Sequence, residues 1–277
     1  MNKDFLKQNF FIIVFGISFV TFTIYFGISK LMPDKTEDTM ISQNETYREY
    51  SENETVEFST EAVSANSNVN ETKNVEPQKP VFTTAGKEYL DGALFIGDSR
   101  TDTLASYAGW KKTTFFVKTG LTIWEVLDEK IAKVNGKKLT VKKALKEIQF
   151  DKIYIMLGVN ELGTGSSTDF YNQYKKVIDY IKKTQPQAVI YIQSIIHVTN
   201  EEREHSDYIN NKNIDLRNSK IIKLADNKQV FWLDLNEIFD KKGKKELDKK
   251  YTSDGVHIMP KFIPIWQEYL LSHVINK

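Results

Sequence analysis

The sequence predicts an α/β protein, a three-layer sandwich whose central parallel sheet has about five strands. Short apolar runs bounded by turn residues recur at Ala93 to Ile96, Thr113 to Val117, Ile153 to Leu157, Ala188 to Ile192 and Val230 to Leu233. Each has the length and composition of a buried strand. Between them lie stripes at helical spacing: Phe170, Tyr174, Val177, Ile178 and Ile181 in one, Phe262, Trp266 and Leu270 in another. Strands that alternate with helices build a parallel sheet covered on both faces. The aromatic stripes therefore belong to the core and not to a cofactor site.

Taken in order, the chain divides into three parts, residues 1–32, 33–84 and 85–277. Phe10 to Ser29 carries no charged residue and is flanked by Lys3, Lys7, Lys30 and Lys35. Twenty residues at about 1.5 Å rise each span a hydrocarbon core of roughly 30 Å. The apolar run is longer than a signal peptide needs and no clear small-residue cleavage site follows, so an uncleaved anchor is expected. The basic end then stays in the cytoplasm and everything beyond Leu31 is exported, a single-pass cell-membrane protein with its C-terminal domain outside. Residues 33–84 are acidic, polar and poor in large apolar side chains, which predicts a disordered tether. Asn-Glu-Thr recurs there at Asn44, Asn53 and Asn70, which reflects composition more than glycosylation.

The third part is globular. The 277 residues are 40% hydrophobic and carry a net charge of +1, which hides an acidic tether and a basic domain. Neither figure marks a nucleic-acid binder. There is no cysteine, so neither disulfides nor thiolate chemistry enter. Asn135-Gly136 between Lys133 and Leu139 predicts a hairpin after the second strand.

Chemistry gathers where strands end. The first apolar run stops at Gly97-Asp98-Ser99, and a helix starting there would offer free N–H groups and a partial positive charge. The third stops at Gly158-Val159-Asn160-Glu161, and just before the last helical stripe stands Asp254-Gly255-Val256-His257. A hydroxyl, an amide, an acid and an imidazole in these places form the parts list for acyl transfer.

Together with Gly120 in Lys118-Thr119-Gly120-Leu121-Thr122, these blocks resemble those of the SGNH, or GDSL-type, hydrolase family, and among its members bacterial membrane-anchored extracellular esterases. The resemblance covers about Tyr89 to Val274. It implies a flavodoxin-like fold, Ser99 as nucleophile, His257 as its base, Asp254 as the acid that orients the imidazole, and an oxyanion hole made by the Ser99 and Gly120 N–H groups and the Asn160 amide. Two positions depart from the family pattern: Arg100 stands where leucine is frequent, and Glu161 where aspartate is usual. With His197, which follows the fourth strand, they are candidate substrate contacts. His205 and His273 are expected at the surface or in packing. No cofactor or metal is implied, because the sequence has no Walker loop, dinucleotide fingerprint or dense His/Asp/Glu cluster.

The function expected is an extracytoplasmic serine esterase that removes a small acyl group, acetyl above all, from a carbohydrate or cell-wall polymer. One alternative is an O-acyltransferase on a wall polysaccharide, served by a separate membrane partner that brings the acyl donor. The other is an inactive carbohydrate-binding or scaffolding module, against which the full set of Ser99, Asn160, Asp254 and His257 argues. The lysines of 241–250 make a basic stretch that is either solvated or drawn to acidic polymers.

Overall fold

A computed structural model describes residues 80–200 and 207–276. The expected anchor over residues 10–29, the tether up to residue 79, and His205 lie outside them. Among the described residues no helix is long and apolar enough to cross a membrane.

Strand β1 (Ala93–Gly97) is buried along its whole length. It leads into α1 (Ser99–Tyr107), whose N-cap Asp98 accepts the Arg100 N–H. Strand β2 (Thr114–Val117) follows, and then a hairpin of β3 (Ala132–Val134) and β4 (Lys137–Leu139). Asn135 and Gly136 turn it at φ +49° and +76°, the paired left-handed conformation that Asn-Gly adopts readily. Helix α2 (Val141–Glu147) leads to β5 (Lys152–Met156). Helix α3 (Ser167–Thr184) begins in a capping box between Ser166 and Asp169. Then come β6 (Val189–Gln193), α4 (Asn211–Ile221), β7 (Val230–Leu233), the single turn α5 (Asn236–Phe239) and α6 (Ile263–Ser272).

All five long strands are parallel, in the order β2-β1-β5-β6-β7. Because successive side chains point to opposite faces, each strand feeds two cores. Leu94, Ile96, Ile153, Ile155, Ile190 and Ile192 pack under α2, α3 and α4. Phe95, Tyr154, Met156, Tyr191, Phe231 and Leu233 pack under α1, α5 and α6. Phe95, Tyr154 and Tyr191 sit in register on three neighbouring strands and stack with ring centroids 4.5 Å apart at each step. The three layers and five strands are those the sequence predicts, each strand boundary lying within one residue of its apolar run.

Residues just before Ala85 pair with the C-terminal end of the described chain. Thr83 and Val274 exchange backbone hydrogen bonds, each at 3.0 Å, and the Ala85 N–H donates to Leu271. The chain direction along the sheet reverses between β1 and β5, which opens a crevice beyond the carboxyl ends of those two strands. Ser99 follows one of them and Asn160 the other.

Candidate active site

Gly97 closes β1 where the backbone is crowded: a Cβ there would come within 2.0 Å of Thr101 Oγ1 and 2.9 Å of the Met156 carbonyl. The absence of a side chain lets α1 start immediately, with Ser99 as its first residue. Its N–H, at the N-terminus of the helix, has no intrahelical acceptor. The hydroxyl is partly exposed, and Ser99 Oγ lies 2.9 Å from His257 Nε2.

His257 arrives from the loop between residues 252 and 259. Asp254 organises this loop by accepting on Oδ1 from the Val256 N–H at 2.9 Å, the His257 N–H at 2.8 Å and Thr252 Oγ1 at 3.1 Å. Its other oxygen lies 2.7 Å from His257 Nδ1. Partial burial would raise the Asp254 pKa, but the backbone donors of His257 and Val256 outweigh it and hold the carboxyl well below the usual range. The charged carboxylate can only accept, so Nδ1–H donates the hydrogen bond to it and the Nε2 lone pair faces Ser99.

Gly120 and Asn160 are both exposed. Gly120 has φ +74°, and a Cβ there would meet nothing within 4 Å, so backbone conformation and not crowding calls for glycine. Asn160 Nδ2 donates to the Leu121 carbonyl at 3.1 Å and makes only a long contact of 3.5 Å with Asp98 Oδ2. The proton on that longer side can turn to an incoming oxygen. Asp98 is 1% exposed, and burial raises its pKa against the opposing charge of Arg100.

The three candidate substrate contacts all lie inside. Arg100 is 1% exposed and turns under the triad, where Nη1 donates to the Ile196 carbonyl at 2.7 Å. Burial lowers its pKa to about 10, with Asp98 and Asp254 holding its charge. Glu161 has no exposed surface and accepts the Ile123 N–H, so it braces the Gly120 loop from beneath. Burial pushes its carboxyl up to about 7, with the Ile123 bond opposing and the Asp98 charge reinforcing. His197 is 3% exposed and is held between Asp240 and Asp215. The long side chains at 100 and 161 sit on the core side of their turns, which puts them out of reach of a ligand in the crevice. His273 packs against Tyr269 and Phe82.

Arg217 is a supporting residue that sequence reasoning missed. Its Nη2 donates to the carbonyls of Glu161 at 2.7 Å and Thr164 at 3.1 Å, which pins the loop after Asn160. The signal was present: Ile214, Arg217, Asn218 and Ile221 share one face of α4 at spacings of three and four, so the arginine belongs to the buried stripe. Four lysines of the basic stretch meet carboxylates, Lys241 and Lys244 near Glu246, Lys245 on Asp215 and Lys250 on Asp248.

The family model for GDSL-like lipases and acylhydrolases matches residues 95–261, more than half of the chain. No curated protein matches it. Among solved structures, a provisionally named platelet activating factor from Streptococcus pneumonia is 22% identical, with a TM-score of 0.51 over 72% of this chain and 84% of that one. A provisionally named GDSL-like lipase from Parabacteroides merdae is 16% identical, with a TM-score of 0.52 over 69% and 96%. A GDSL-like lipase from Bacteroides thetaiotaomicron is 15% identical, with a TM-score of 0.50 over 66% and 87%. At these identities the likeness speaks for the shared fold.

Proposed function

The chain belongs to the GDSL-like lipase/acylhydrolase family and is thereby a serine ester hydrolase, and from that premise we propose that it removes a small acyl group, acetyl above all, from a carbohydrate or cell-wall polymer outside the cell membrane. The observation that carries the reaction type is the hydrogen-bonded line from Ser99 Oγ through His257 to Asp254, at 2.9 and 2.7 Å. Ser99 attacks the ester carbon while His257 Nε2 takes its proton, and Asp254 stabilises the imidazolium that forms. The negative oxygen of the tetrahedral intermediate is received by the Ser99 and Gly120 N–H groups and by the Asn160 amide. His257 returns the proton to the departing alcohol. Water then attacks the acyl-serine by the same route in reverse and releases the acid.

Location and substrate class rest on the N-terminal part. The charge-free run Phe10 to Ser29 supports an anchor, and the polar stretch behind it supports a tether that lets a fixed enzyme sweep the layer around it. The test uses the full chain in detergent with an aryl acetate and with an acetylated glycan, each with and without an unmodified glycan acceptor. Release of free acetate from the glycan, lost in Ser99→Ala, is the expected result. Acetate appearing on the acceptor instead would make the protein a transferase.

A further inference from the structure

The loop that carries Asp254 and His257 is fastened to the domain through the segment after β6. The Thr199 N–H donates to the Gly255 carbonyl at 3.0 Å, between the two triad residues. Three residues back, the Ile196 carbonyl takes the guanidinium of Arg100, the neighbour of Ser99. Residues 195–199 thus touch the supports of both halves of the triad. Asn218 of α4 bonds both polar groups of the Ile195 backbone, Asn211 those of Val198, and Asn236 of α5 accepts the His197 N–H.

At the middle of this segment is His197, whose side chain is 4% exposed. Its Nδ1 lies 2.9 Å from both oxygens of Asp240, at the end of α5, and its Nε2 lies 3.2 Å from Asp215 Oδ1 on α4. An ionised carboxylate only accepts hydrogen bonds, whereas a neutral imidazole has one N–H and one lone pair. Carboxylates on both nitrogens are satisfied together only by the imidazolium. The remaining charged neighbours are accounted for: Lys245, from the turn after α5, reaches Asp215 at 3.2 Å, and Arg100 reaches the backbone of Ile196 and not the ring. The two carboxylates take opposite ring nitrogens and do not converge on a common point, so the cluster is not a metal cage.

We propose that His197 is a positioning residue that must keep its proton, the imidazolium tying α4 and the end of α5 to the 195–199 segment so that Thr199 holds the catalytic loop in register. The role rests on the assignment of Ser99, His257 and Asp254 above. Loss of the proton would fall on the Asp215 side, where there is one contact and the carboxylate is 37% exposed, against two contacts and 17% for Asp240. Helix α4 would then slacken against the loop. Burial favours the neutral ring, but Asp240 and then Asp215 outweigh it and the His197 pKa is raised above 6.5. The sign follows: the stabilising contribution is complete below the unfolded histidine value and is lost as pH rises through the higher folded one.

The experiment is a pH profile of kcat/KM for an aryl acetate, from about pH 5 to below the range where tyrosine and lysine titrate near 10, on the full chain and on Asp215→Asn and Lys245→Met. The expected wild-type profile falls several-fold on the alkaline side. In Asp215→Asn the amide can donate to a neutral His197 Nε2, so the ring is paired in either state and the alkaline fall is abolished. Lys245→Met keeps the carboxylate and keeps the fall. Nitrogen-15 NMR of the histidine rings should find both His197 nitrogens protonated at neutral pH. A wild-type profile with no alkaline fall, an unchanged fall in Asp215→Asn, or a neutral His197 ring at pH 7 would overturn the role. Ser99→Ala is measured alongside: activity surviving in it overturns the triad assignment, whereas Ser99-dependent turnover with an unaltered alkaline limb overturns only His197.

Discussion

Among single residues, Asn160 and Glu161 are neighbours with opposite tasks, one turned to the crevice and one to the core. In the proposed mechanism, Asn160→Ala removes one of three oxyanion donors and leaves the nucleophile intact. Loss of such a donor costs about 10²- to 10³-fold in kcat, with KM little changed because the bond is strongest to the tetrahedral oxygen. Steady-state kinetics beside a melting curve checks this: a near-normal kcat, or a loss that tracks melting temperature alone, would contradict it. Glu161 is tested by stability. Its pKa is raised from 4.5 to about 7, chiefly by burial, so its contribution is complete below the unfolded value and lost as pH rises through the folded one. Glu161→Gln keeps an oxygen for the Ile123 N–H and carries no charge, so its melting temperature should exceed the wild type's at pH 8 and the gap should close toward pH 4.5. Turn residues after apolar runs draw attention to Ser99 and Asn160, whereas Asp254 and His257, in an irregular loop, are singled out by their place before the last helix and by the family resemblance. Sequence reasoning misplaced Arg100, Glu161 and His197, because the burial of a charged side chain depends on partners far along the chain: Ile196 for Arg100, Ile123 for Glu161, Asp215 and Asp240 for His197.

Among elements, the junction of β1 and α1 is the tightest. Gly97→Ala would drive a Cβ against Thr101 Oγ1 and the Met156 carbonyl, and overpacking of this kind costs about 1–3 kcal/mol. Thr101→Ala in the same protein removes the Oγ1 clash but leaves the Cβ of residue 101 at 2.6 Å and the Met156 carbonyl at 2.9 Å, so rescue of the melting temperature should be partial. Full rescue would show that the backbone of β5 can give way. The five strands were legible because buried parallel strands read as unbroken apolar runs, and the hairpin because Asn-Gly supplies both left-handed residues at little cost. The single turn α5 and the long irregular path through 240–262 were not, since they are held by individual side chains, such as Asp248 and Asp254, and show no periodicity.

For the whole molecule, the domain closes on itself: the stretch at Thr83 pairs with Val274, so both ends of the fold meet. A fragment starting at Pro80 should therefore melt higher than one starting at Ala85, which loses both Thr83–Val274 hydrogen bonds. Equal melting temperatures would show that the bridge contributes nothing. The same scale governs the chemistry, since Ser99 and His257 lie 158 residues apart in sequence and only the folded sheet brings them within 2.9 Å. The most direct measurement is covalent labelling by an aryl phosphonate ester, with the modified peptide located by mass spectrometry and the rate followed in the wild type, Ser99→Ala and His257→Ala. The account predicts one label, on Ser99, absent from Ser99→Ala and formed far more slowly in His257→Ala at an unchanged melting temperature. A label on another residue, or one formed at the wild-type rate without His257, would contradict it.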